Sequence, residues 1–274
     1  MTGTIPHLRG ARYLVPLREG GSLPAVVDTD AGSYVVKFRG AGQGVRALIA
    51  ELLAAGLALR LGLPIPSPAI VRLDEGFGRG EPDPEIQDIL RASVGDNFGL
   101  GYLTGAVGFD PAADADLARE VAADIVWFDA LVSNVDRTAR NTNLLVWRRR
   151  VWMIDHGATL YFHHQWQGWE DKVHSPFPLI KEHVLLALAG DLEAADARLR
   201  PRLNERALRE TVTAVPDAWL GDEPLFGRVA AHREAYSTYL SARLNGPRRW
   251  LQEAIDAQRR GPEPLARRLT HRVV

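Results

Sequence analysis

The sequence predicts an α+β protein of two lobes, a β-rich N-terminal lobe over residues 1–104 and a mostly helical C-terminal lobe over residues 105–274. Three observations carry that expectation. Runs of β-branched and aromatic residues, punctuated by turn residues, fill much of the first 75 positions. Beyond residue 105 apolar side chains recur mostly at helical spacing. The chain has 274 residues, 46% of them hydrophobic, enough to bury one large core or two lobes around a cleft.

Along the chain, Arg12–Leu17 reads as a first strand, Leu23–Val27 as a second and Ser33–Phe38 as a third, with Asp28-Thr29-Asp30-Ala31-Gly32 supplying a turn between the last two. The period then changes. From Gly44 to Leu61 the apolar positions Leu48, Leu52, Ala55 and Leu59 share one helical face, and Gly62 stands where a helix stops. Leu63-Pro64-Ile65-Pro66 must be extended or turning, and another strand follows before residue 75. Arg79–Asp88, with its Gly, Pro and acidic residues, reads as a loop or insertion, and Asn97–Leu103 as a short strand or connector. Leu117, Val121, Ile125, Phe128 and Val132 line one face of a helix, with Asp114 and Asp116 near its start, where negative charge suits the helix dipole. A polar turn over Ser133–Asn143, a strand at Leu144–Trp147, a tight Arg148-Arg149-Arg150 turn and a strand at Val151–Ile154 come next. Residues 178–260 are mostly helical in pattern.

Composition removes several functional classes. With 33 Lys+Arg against 34 Asp+Glu, the chain lacks the basic excess of proteins that live on nucleic acid by neutralising phosphate. It has no Cys, so disulfides, thiolate metal sites and a cysteine nucleophile are all excluded. No apolar run reaches the roughly 18–20 residues needed to cross a bilayer. The first residues lack a basic stretch followed by an apolar one, so the expectation is a soluble cytoplasmic protein.

The informative chemistry lies between Phe128 and Gly157. A polar loop presents Asp136 and, five residues later, Asn141; one hairpin further on comes Asp155-His156-Gly157. Asn141 and Asp155 are hard oxygen ligands suited to Mg²⁺, which keeps waters and takes its remaining ligands from phosphate. Asp136 is then free to orient or deprotonate a hydroxyl. Asp-x4-Asn followed by Asp-x-Gly at a strand end is the spacing by which protein-kinase-like phosphotransferases divide these tasks. Singly, each residue reads equally as a turn or cap; their joint order points to phosphoryl transfer.

The first lobe offers matching parts. Lys37, on the third strand in Val35-Val36-Lys37-Phe38, can hold nucleotide phosphates, and Glu51 on the following helix can fix it; a surface lysine and a solvated glutamate are the alternatives. Gly20-Gly21-Ser22 can bring backbone amides close to phosphate or form a plain hairpin turn. Phe98–Leu103 falls where a kinase-like fold places its hinge between lobes, so backbone groups of Gly101, Tyr102 and Leu103 are the expected contacts to adenine.

These residues make the sequence resemble the HipA-like kinase family, in particular its short branch without the extra N-terminal subdomain. The likeness rests on Gly20–Val27, Tyr34–Gly40, Leu61–Pro66, Asn134–Asn141, Ile154–Gly157 and Val215–Leu220, and spans roughly residues 8–225. It implies a protein-kinase-like fold using ATP and Mg²⁺, with Asp136 as base, Asn141 and Asp155 as metal ligands and Lys37 as the phosphate-binding lysine. Thr138 departs from the family's usual Asp-Arg-His. The expected acceptor is a protein serine or threonine. A small-molecule or phosphoinositide-type alcohol on the same fold, and a nucleotide-binding pseudokinase acting as an interaction module, are the competing readings.

Two further features invite attention. His163-His164 suits a loop beside the cleft better than a zinc site, because no third ligand stands at a sensible spacing, and Trp166 and Trp169 suit packing better than a substrate platform. From Gly246 onward seven Arg oppose three acidic residues, the pattern of a solvated amphipathic helix and tail.

Overall fold

The computed structural model describes residues 4–17, 23–114, 117–221 and 223–261. Strands β1 (His7–Pro16), β2 (Ala25–Thr29) and β3 (Gly32–Lys37) lead into helix α1 (Gly44–Leu61), followed by β4 (Pro68–Leu73), α2 (Pro84–Ala92) and β5 (Gly95–Gly101). The five strands close into a barrel in the order β1-β2-β3-β5-β4, antiparallel throughout except for the parallel β1–β4 pair. Alternation decides what each face of β3 does. Tyr34, Val36 and Phe38 pack into a cluster with Ala25, Val27, Ala69 and Val71, so Lys37 falls on the opposite side.

Helix α1 is apolar almost all round because it is covered from both sides, by the barrel and by C-terminal helices. Leu48, Ile49, Leu52, Leu53 and Leu57 are each 2% exposed or less, and burial of each such side chain contributes about 1.5–3 kcal/mol. The helix stops at Gly62, whose φ of +74° is the left-handed conformation; its amide and that of Leu63 reach back to the last turn.

The C-terminal part begins with β6 (Val107–Gly108), α3 (Arg119–Val132), β7 (Leu144–Trp147) and β8 (Arg150–Met153). Strands β6, β7 and β8 form a small antiparallel sheet, and Arg148 and Arg149 both adopt positive φ in the two-residue hairpin turn. Then come α4 (Trp169–Lys172), α5 (Leu192–Leu199), α6 (Glu205–Thr213), α7 (Asp217–Leu220), α8 (Val229–Asn245) and α9 (Arg249–Arg260), with 3-10 turns between them. Among the described residues no helix is long and apolar enough to cross a membrane.

Two expectations are corrected. Arg79–Asp88 is not simply a loop: Asp83 accepts a hydrogen bond from the Glu85 amide and Pro84 occupies the first turn of α2, which buries Ile86 and Leu90. Asp114 lies five residues before Arg119, outside the first turn of α3 where a charge meets the helix dipole. Its carboxylate accepts from the Asp110 amide in a local turn, and the acid in the first turn of α3 is Glu120; Asp116 lies outside the described residues.

His163 lies in a 3-10 turn (Tyr161–His164) and is fully buried, its Nδ1 2.9 Å from the Tyr236 hydroxyl. Trp166 and Trp169 are core residues, with Trp166 packed edge-on to Phe226, His232 and Tyr236. Burial, with His164, Arg46 and His232 nearby, pushes the His163 imidazole well below its ordinary range. It therefore stays neutral in the folded chain while the unfolded chain protonates it below about pH 6.5. Stability should accordingly fall with decreasing pH from about 6.5, by up to about 1.4 kcal/mol per pH unit from this residue. Urea unfolding from pH 7.5 to 5 should show that slope, reduced in His163→Gln; equal slopes in the two proteins would refute the assignment.

Candidate active site

Lys37 is the last residue of β3 and points at α1, where it meets Glu51 Oε1. Its ammonium also donates to Asp155 Oδ1 at 2.7 Å. The lysine side chain is 11% exposed, Glu51 is wholly buried, and Asp155 is 41% exposed. Burial alone would lower the lysine pKa, but Glu51 and Asp155 outweigh it and hold the group above its ordinary value. Burial would likewise raise Glu51; the Lys37 ammonium instead holds its carboxyl well below the usual carboxylate range. Both groups are therefore charged at neutral pH. Asp155 follows β8 with φ at +52°, a left-handed conformation that Asp tolerates better than most residues.

The second cluster is the loop after α3. Ser133 ends that helix in a left-handed cap, and the buried Arg243 of α8 satisfies its terminal carbonyls, donating to Leu131 O at 2.7 Å and Ala130 O at 3.2 Å. Within the loop, Asp136 Oδ2 accepts from Asn141 Nδ2 at 2.8 Å and from Asn143 Nδ2 at 3.1 Å. Asp136 is half-buried and Asn141 is exposed.

Arg137 joins the two clusters. Its guanidinium reaches the carbonyls of Asn143 and, at 3.3 Å, Ile154, so it fixes the backbone on either side of the β7–β8 hairpin, one residue before Asp155. The same side chain donates to Asp129 Oδ2 at 2.6 Å. Asp129, a fully buried carboxylate inside α3, also takes His183 Nε2 at 2.8 Å and Asn134 Nδ2 at 3.0 Å. Arg137 and the hydrogen bond from His183 hold it ionised against the cost of burial. Thr138, where the family motif has His, pairs by its backbone with His183.

The structure thus brings Lys37, Glu51 and Asp155 into direct contact, and Asp136 with Asn141, the two groups being tied through Arg137. Gly20, Gly21 and Ser22 lie outside the described residues. Gly101 ends β5 and Tyr102 follows it, but their amides donate to Ser67 O and Ser33 O, both at 2.9 Å. Only their carbonyls, or Leu103, remain for a ligand, which narrows the expected role of that connector. Asp129, Arg137, His156 and His183 were not assigned roles from sequence. Asp129 carried a signal, being the sole polar residue in the apolar stretch Ile125–Val132, where a charge requires a partner.

Among the described residues no three His, Cys, Asp or Glu side chains cluster as a protein-only metal cage. The donors present are an amide and carboxylates, a set that fits a cation sharing its coordination with phosphate oxygens and water.

The fold is similar to the crystal structure of the Helicobacter pylori proinflammatory kinase CtkA, with a TM-score of 0.53 over 95% of this chain and 100% of that one at 12% identity. No curated protein matches the chain. The family model described as HipA-like kinase matches residues 17–250. The chain therefore belongs to the HipA-like kinase family and is a kinase.

Proposed function

We propose that this kinase transfers the γ-phosphoryl group of ATP to a serine or threonine hydroxyl of a protein, in a cleft between lobes that divide near residue 104. The observation that carries the reading is Lys37, held at once by Glu51 from α1 and by Asp155 from the turn after β8. A lysine and two carboxylates delivered by three separate elements are the means to place a nucleotide triphosphate beside a cation. Family membership implies ATP and usually a divalent metal.

In this reading Lys37 moves from Asp155 to the nucleotide phosphates while Glu51 keeps it oriented. Asp155 and Asn141 hold Mg²⁺, which when bound offsets charge on the phosphates. Asp136 accepts the proton of the acceptor hydroxyl, and its two amide partners aim the carboxylate. Catalysis then rests on positioning and charge stabilisation rather than on covalent chemistry by the protein. A protein acceptor is supported by the openness of the loop: Arg140 and Asn141 are exposed and Asp136 half-exposed, so a hydroxyl carried on a polypeptide segment can reach the carboxylate.

The test is incubation of the purified protein with γ-labelled ATP, Mg²⁺ and cell lysate. Label is expected on protein serine or threonine; label confined to small alcohols would refute the protein acceptor, and no transfer at all would refute the reading.

A further inference from the structure

Between the two clusters runs a file of polar side chains, buried from Glu51 onward and open at one joint. It passes from Lys37 to Glu51, from Glu51 to His156, from His156 to Arg137 and from Arg137 to Asp129. The side chains of Glu51, His156, Arg137 and Asp129 are all 0% exposed. Within this file His156 is the middle residue of Asp155-His156-Gly157, and its two nitrogens serve different partners. Nε2 lies 3.1 Å from Arg137 Nη2. A guanidinium can only donate, so Nε2 must offer its lone pair, and the neutral ring carries its proton on Nδ1. Nδ1 faces Glu51 Oε2 at 3.8 Å, and neither atom has a hydrogen-bond partner. Two buried polar atoms of opposite character, left open toward each other, mark one joint that a small approach closes.

We propose that His156 is a positioning residue: it accepts from Arg137 of the Asp136 loop and, by closing its Nδ1 onto Glu51 Oε2, couples that loop to the Lys37–Glu51 pair on the nucleotide side. The inference rests on the kinase reading above. It makes Glu51, and through it Lys37, responsive to the loop that carries the base. An aromatic ring of similar size cannot do this, since it neither donates nor accepts. A side-chain amide can do both.

Two measurements test the proposal. In the nucleotide-free wild type, long-range ¹H–¹⁵N correlation spectra should show a pyrrole-type Nδ1 and a pyridine-type Nε2 for His156; a proton on Nε2 would overturn the coupling. In steady-state kinetics, His156→Phe should lower kcat about 10–100-fold, the scale seen when an outer hydrogen-bond partner of a site is removed. KM for ATP should stay within about threefold, because the loss falls on the reacting geometry rather than on uniform binding. His156→Gln should recover most of kcat. Wild-type kcat in His156→Phe, or a Gln variant no better than Phe in folded protein, refutes the coupling. If His156→Phe does not fold, the Gln variant and the tautomer still decide. A wild type that transfers no phosphoryl group refutes the kinase reading instead, and the tautomer then tests the joint independently of catalysis.

Discussion

An Asp136→Asn protein is expected to transfer phosphoryl groups about 10²–10⁴-fold more slowly than wild type, the range over which a positioned general base contributes. Its affinity for the nucleotide should change little. Asp136 touches Asn141 and Asn143 but is absent from the contacts of Lys37, whose partners are Glu51 and Asp155. The substitution keeps size and one carbonyl oxygen, and both amides donate to a single oxygen, Oδ2, so the loop retains an acceptor for them. Single-turnover assays with excess enzyme separate the chemical step from product release. Wild-type single-turnover rates in Asp136→Asn would remove the proposed base, and a parallel loss of nucleotide affinity would show that the residue acts in binding.

The largest effect on stability is expected at Arg137. Replacing it with Met keeps an unbranched apolar stem but removes the guanidinium and strands the Asp129 carboxylate at 0% exposure, with His183 and Asn134 left to hold it. Loss of one partner from a buried ion pair costs about 3–5 kcal/mol. The carbonyls of Asn143 and Ile154 lose a donor as well. Asp129→Asn added to Arg137→Met should recover part of that loss, since removing both charges avoids an unpaired one. Urea unfolding of the two proteins is the check; an Arg137→Met protein within about 1 kcal/mol of wild type would contradict the ion-pair account.

Local rules made much of the fold legible. The period of Leu48, Leu52, Ala55 and Leu59 with Gly62 behind them gives α1 with its observed ends, and two apolar runs around Arg148-Arg149 give the β7–β8 hairpin. Helix α2 escaped because its start signal, Asp83-Pro84, is embedded in a Gly- and Pro-rich stretch that reads as loop. At the site, residue types and order within the Asp136–Asn141 segment were readable because both lie on one loop. The contact between Lys37 and Asp155 spans 118 positions and depends on how β3, α1 and the β8 exit pack. Spacing can suggest such a contact but cannot fix it. Asp129, Arg137, His156 and His183 escaped assignment for the same reason: each is intelligible only through a partner that tertiary packing supplies. The amides of Gly101 and Tyr102 show the converse, since their availability depends on carbonyls of Ser67 and Ser33 far back in the chain.

The central claim is that residues of the barrel side and of the post-α3 segments serve one nucleotide through one cation. Isothermal titration of ATP into wild type and Asp155→Ala, each with and without Mg²⁺, tests it most directly. Wild type should bind more tightly with Mg²⁺, and Asp155→Ala should lose that gain while keeping its metal-free affinity or improving it, because Lys37 is freed from Asp155. Equal magnesium dependence in the two proteins would contradict the claim.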